Sequence, residues 1–109
     1  MSMNVYERVF ETILDRKANP EQGSYTTYLF EKGLEKILKK VGEESTEVII
    51  ASCKHDKEEV INEYGDLIYH LLVLMAELGI TLDDIHAVME ERDKKTHNLK
   101  AERKPIENL

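Results

Sequence analysis

Residues 66–76, DLIYHLLVLMA, are apolar over most of a helical circumference. A helix of that kind has to be buried nearly all round, so this segment is the centre about which the rest of the chain must pack. One narrow polar strip interrupts it. On a wheel of about 100° per residue with Asp66 at zero, Glu59 falls near 20°, His70 near 40° and Glu63 near 60°. Leu67, Ile68, Leu71, Leu72 and Met75 occupy the remaining faces.

Working outward, apolar residues recur at three- and four-residue intervals, prolines and glycines are few, and no alternating strand pattern competes. The chain is expected to be all-α, a four- to five-helix bundle. Asn4 with Glu7 caps a first helix from about Val5 to Lys17, and Ser24 caps a short one from Tyr25 to Glu31 that breaks at Gly33. A longer helix runs from Leu34 to about Ser52. Asp56 with Glu59 starts the central helix, which ends near Gly79, and Thr81 with Asp84 starts a last one from Leu82 to about Lys95. The tail, residues 96–109, has weak periodicity and Pro105, and loose docking is expected of it.

The third helix carries VGEESTEVII, residues 41–50, where three glutamates stand against an apolar stripe. With Val41 at zero, Leu34, Ile37, Leu38 and Val48 lie within about 60°. Glu44 lies near −60°, Glu47 near −120° and Glu43 near −160°, with Lys40 and Lys36 between them. This reading puts Glu44 on the margin of the core, Glu47 beside it and Glu43 farthest out. A buried carboxylate without a partner protonates or finds a cation. The lysines cannot neutralise acidic strips on two packed helices, so a hard, oxygen-preferring cation such as Mg²⁺ is the better reading.

Composition narrows the function. A formal charge of −7 and a charged fraction of 34% argue against a nucleic-acid or anionic-membrane partner, because phosphate backbones reward Lys and Arg. The single cysteine, Cys53, excludes an intrachain disulfide framework and suits a reducing compartment. The N-terminal segment has no signal-peptide apolar region, and the longest apolar run, LLVLMA, is far shorter than a membrane span. A soluble cytoplasmic protein is expected. At 109 residues the chain reads as one domain, 1–109. Its central helix carries more apolar surface than short neighbours cover, so a homodimer is expected to complete the bundle.

The two acidic motifs, E-E-x-x-E followed by E-x-x-D on consecutive apolar helices, resemble the signature of the MazG-like all-α nucleoside-triphosphate pyrophosphatase superfamily. Within it, SYTTYLFEKGLEKILKKVGEESTEVIIASCK and EVINEYGDLIYHLLVLMAELGITLDDI are similar to the phosphoribosyl-ATP pyrophosphatase family. The resemblance implies Mg²⁺-dependent hydrolysis of phosphoribosyl-ATP to phosphoribosyl-AMP and pyrophosphate, the second step of histidine biosynthesis, with Mn²⁺ as a substitute. It implies metal ligation by Glu44, Glu47, Glu63 and Asp66, and a homodimer. Glu43 is assigned a supporting or water-orienting role in catalysis. Lys32, Lys36 and Lys40 are candidates for the phosphates, and Ser24, Tyr25 and Thr26 resemble the family's substrate-facing segment. His70 is read as a hydrogen-bonded structural histidine, and Tyr25 and Tyr28 as packing residues by default. Many relatives are fused to a cyclohydrolase domain; without that domain's cysteines, a stand-alone pyrophosphatase is expected.

Two other readings compete. A housecleaning pyrophosphatase would use the same metal site on ordinary or damaged nucleoside triphosphates. An inert helical dimerisation module would use the acidic strip as a docking surface. A di-iron carboxylate bundle lacks its Glu-x-x-His repeat, which only DDIH, ending at His86, approaches.

Overall fold

The computed structural model describes residues 3–95, which form five α-helices and, among the described residues, no strand. The helices are α1 (Val5–Ala18), α2 (Tyr25–Lys32), α3 (Leu34–Cys53), α4 (Lys57–Leu78) and α5 (Leu82–Asp93). The expectation about the tail lies outside the described residues. Every anticipated cap is formed. Asn4, Ser24, Asp56 and Thr81 each accept a hydrogen bond from the backbone N–H three residues on, and Thr81 with Asp84 makes a full capping box. Helix boundaries follow these local bonds, so they need no knowledge of the packing.

Two glycines are conformationally required. Gly33 sits at φ 90° and ψ −172°, a region essentially closed to other residues, and there the chain leaves α2 and enters α3. Gly79 ends α4 in the left-handed conformation, φ 73° and ψ 24°, with its N–H and that of Ile80 closing on the last turn. At the same end, the Lys17 ammonium donates to the Ala76 carbonyl at 3.0 Å and pairs with Glu77 at 3.4 Å. A cation on the free carbonyls of a helix C-terminus fastens α1 to α4.

Helices α3 and α4 form the principal antiparallel pair, with α1 laid on α4 and α2 bridging α1 and α3. The core is Phe10 and Ile13 from α1, Leu29 from α2, Ile37 from α3, and Leu72, Val73 and Ala76 from α4. The face that α3 turns inward differs from the expected one. Its buried residues are Ile37 and Ala51, with Glu44 midway between them at seven-residue spacing. Leu34 and Leu38, expected on the buried stripe, are 41% and 48% exposed, and the neighbouring Ile49 is 62% exposed. The helix is rotated by about 50° from the centre of its apolar stripe, towards the acidic flank. The reason is that α4 presents its own polar strip there, and polar groups on both helices must meet across one seam.

Nor does α4 find cover all round within one chain. Ile61, Tyr64, Leu71 and Leu78 follow one line along the helix and remain 39–59% exposed, flanked by the partly buried Ile68 and Met75. Helix α5 does not supply the cover, since none of its residues is buried.

Two substitutions check this description. Ile37→Ala, at a site with no exposure, is expected to cost about 2–5 kcal/mol in urea unfolding. Gly79→Ala is expected to cost about 1 kcal/mol, because a Cβ is strained at that backbone conformation even with open space around it.

Candidate active site

The seam between α3 and α4 carries the acidic motifs. Glu44 sits in the middle of the packed face of α3, its side chain only 13% exposed. Opposite it, Glu63 and Asp66 project from successive turns of α4. One carboxylate oxygen from each of Glu44, Glu63 and Asp66 lies within 4.8 Å of the other two. Glu47, one turn along α3, is outside this group but close enough for its charge to act on Glu63. Glu43 is exposed and turned to Lys40.

Burial and the crowding of like charges both act on Glu63. The Glu63 carboxyl is held above its usual value of 4.5, first by burial and then by the negative charges of Glu47, Asp66 and Glu44. The neighbouring Glu44 side chain thus acts on Glu63 from across the seam. Three oxygen donors from two facing helices, with no nitrogen or sulfur among them, make a donor set for a hard divalent ion.

Lys40 borders the cluster, 3.4 Å from Glu44 and 3.7 Å from Glu43. Burial alone would lower its pKa, but Tyr25, Glu43 and Glu44 together raise it, so the ammonium stays charged. Lys36 is half-buried and Lys32 exposed, the latter 5.8 Å above the ring of Tyr28. Ser24 and Tyr25 line an open cleft of about 570 Å³ together with Pro20, Gly23, Tyr28 and Glu31. The rings of Tyr25 and Tyr28 are stacked, their centroids 6.1 Å apart, and are 46% and 39% exposed. Thr26 is buried, and its hydroxyl is hydrogen-bonded to that of Tyr69.

One contact was not anticipated from the residues. The Tyr25 hydroxyl meets His70 Nε2 at 2.9 Å, and His70 Nδ1 meets the Asp66 carbonyl oxygen at 2.7 Å. His70 is indeed hydrogen-bonded and buried, as its place on the acidic strip suggested, but its second partner comes from α2. The only sequence signal was that His70 follows Asp66 by one turn.

Residues 6–93 match the family described as phosphoribosyl-ATP pyrophosphohydrolase. The chain belongs to the phosphoribosyl-ATP pyrophosphohydrolase family. Among its relatives, the phosphoribosyl-ATP pyrophosphatase of Clostridium acetobutylicum is 55% identical over 105 residues, covering 96% of each chain. That of Clostridium botulinum is 58% identical over 106 residues, covering 97% of this chain and 96% of the relative. The histidine biosynthesis bifunctional protein HisIE of Caldanaerobacter subterraneus is 56% identical over 93 residues, which is 85% of this chain and 45% of that longer protein. The family domain thus occurs both alone and as one part of a larger polypeptide, and its residues in this chain include the whole α3–α4 seam.

The raised Glu63 carboxyl sets a pH dependence. A carboxyl whose folded value exceeds its unfolded one adds stability below the unfolded value, and that contribution is lost as pH rises through the folded one. In EDTA, Glu63→Gln is therefore expected to raise the Tm at pH 7. The gain should shrink as the pH is lowered and vanish near or below about 4.5. An unchanged or lowered Tm at pH 7 would mean that the seam is not electrostatically strained.

Proposed function

We propose that the chain is a phosphoribosyl-ATP pyrophosphatase: water is added across the α–β phosphoanhydride of phosphoribosyl-ATP, giving phosphoribosyl-AMP and pyrophosphate. The observation that carries this reading is the convergence of Glu44, Glu63 and Asp66, from the two acidic motifs, to within 4.8 Å in a chain of this family. Glu44, Glu63 and Asp66 would hold Mg²⁺, or Mn²⁺ in its place, with Glu47 at the open end of the group. A divalent ion supplies neutralisation of the triphosphate charge and polarisation of the attacked phosphorus.

The chain's own part is positioning and charge, which is most of what phosphoanhydride cleavage requires. Lys40, steadied by Glu43 and Glu44, offers a fixed cation at the edge of the acidic group, where phosphate oxygens must approach. Glu43 thereby acts through Lys40 as well as being free to orient water. Lys36, one turn before Lys40 on α3, and Lys32, at the end of α2, are further candidates for phosphate contact. Ser24, Tyr25 and Thr26 belong to the start of α2, which places the cleft beside the carboxylates, so the nucleotide end would lie on α2 and the phosphates on α3. No nucleophilic side chain is needed.

We further propose that the enzyme is a homodimer. The support is the exposed line Ile61–Tyr64–Leu71–Leu78 on α4, which continues the hydrophobic face of a helix that otherwise belongs to the core. Among the described residues no helix is long and apolar enough to cross a membrane. With a single cysteine and a biosynthetic reaction, we place the enzyme in the cytoplasm.

Product analysis tests the activity. Phosphoribosyl-AMP and pyrophosphate should appear with Mg²⁺ and disappear with EDTA, and kcat/KM should favour phosphoribosyl-ATP over ATP and dCTP. A preference for ATP or dCTP would turn the assignment to a housecleaning pyrophosphatase. Glu44→Gln and Asp66→Asn are each expected to lower kcat/KM by at least about a hundredfold while leaving the fold intact by circular dichroism. In light scattering, wild-type protein should have twice the mass of the chain, and Ile61→Lys should shift it towards the monomer.

A further inference from the structure

The hydrogen-bonding direction through His70 can be worked out from its partners. The Asp66 carbonyl oxygen can only accept, so at 2.7 Å the Nδ1 of His70 must carry a proton. In the neutral ring Nε2 is then an acceptor, and the Tyr25 hydroxyl is its donor. The ring is 94% buried and lies edge-on to Tyr25 on one side and Tyr69 on the other, at centroid distances of 5.7 and 5.9 Å. It cannot turn without breaking both bonds.

Committing the phenol proton to His70 leaves the lone pairs of the Tyr25 oxygen for something else. The charges of Lys40 and Glu44 both act on that oxygen, while the ring forms part of the cleft wall. Through His70, Tyr25 is linked to Asp66 of the acidic group. It is 46% exposed, and an exposed tyrosine has several rotamers of similar energy, so without His70 its hydroxyl would not stay in one place.

We infer that His70 is a positioning residue: by accepting the Tyr25 hydroxyl proton in a hydrogen bond, it aims the phenol oxygen to receive a hydroxyl or amino donor of the bound nucleotide. The inference rests on the proposed function for the identity of that nucleotide, but not for the geometry. It explains why a buried histidine, which a leucine could replace in packing, faces a tyrosine contributed by another helix. It also joins the two halves of the site. The same residue, Asp66, offers its carboxylate to the acidic group and its carbonyl to His70, so the nucleotide-side contact and the phosphate-side group share one turn of α4.

The two ring nitrogens can be tested apart. His70→Asn retains a donor at the position of Nδ1 and loses the acceptor for Tyr25; His70→Gln restores an acceptor at the position of Nε2. Three quantities are read on the full-length protein: KM and kcat for phosphoribosyl-ATP, and its Kd by calorimetry with Ca²⁺ in place of Mg²⁺. Tyr25→Phe and His70→Asn are expected to raise KM and Kd about tenfold with kcat nearly unchanged, the size of one lost hydrogen bond. His70→Gln should lie near wild type, and the double variant Tyr25→Phe/His70→Asn should be no worse than either single one.

A fall in Tm in both His70 variants with KM and Kd unchanged would overturn the inference and leave a structural histidine. So would additive effects of Tyr25→Phe and His70→Asn, because His70 would then act independently. Should His70→Asn fail to fold, Tyr25→Phe carries the same readout, as it removes one hydroxyl and keeps the ring; an unchanged KM and Kd there overturns the inference. Wild-type protein that binds phosphoribosyl-ATP without hydrolysing it, with the stated pattern of Kd, would sink the proposed function and uphold the role of His70. Wild-type protein that does not bind the nucleotide would overturn both.

Discussion

The structure depends on three carboxylates facing one another across the seam of its principal helix pair. Glu44 lies between Ile37 and Ala51 on the packed face of α3, and Glu63 and Asp66 lie opposite it on α4. Like charges at such a place oppose the packing that brings them together. The apolar contacts around them must outweigh that opposition, and the composition of α4 from Leu67 to Ala76 provides them. The rotation of α3 away from its apolar stripe is a further consequence. Polar strips on two helices can share one seam only if each helix turns its strip inward, which leaves Leu34, Leu38 and Ile49 outside.

Folding itself gathers these carboxylates, and the proposed cation site would draw on that preorganisation. The same crowding opposes the packing of the core, since burial and the neighbouring carboxylates hold the Glu63 carboxyl above its usual range.

The short helix α2 gives the site its second half. Only eight residues long, it would be marginal alone, and it is held by Leu29 in the core and by hydrogen bonds from Tyr25 and Thr26 to the adjacent His70 and Tyr69 of α4. Those bonds set how far the cleft stands from the acidic seam. At its far end the chain turns into α3 through Gly33, whose φ of 90° other residues rarely adopt.

The amino-acid sequence by itself determined the helices, their caps and breaks, the two acidic motifs and the family. Caps such as Asn4 with Glu7 or Thr81 with Asp84 are bonds between residues three apart, and periodicity is a property of one helix, so neither depends on what lies across the core. Tertiary structure alone decided which side of α3 faces α4. A helical wheel orders residues around an axis but does not say how the axis is turned, because that is settled by the partner surface. For this reason the wheel put Glu44 at the margin, whereas packing puts it at the centre, and Glu47 falls outside the closest group of oxygens. The pairing of Tyr25 with His70 spans 45 residues and two helices. No local rule encodes such a bond, since it exists only once both helices have been oriented against a common core.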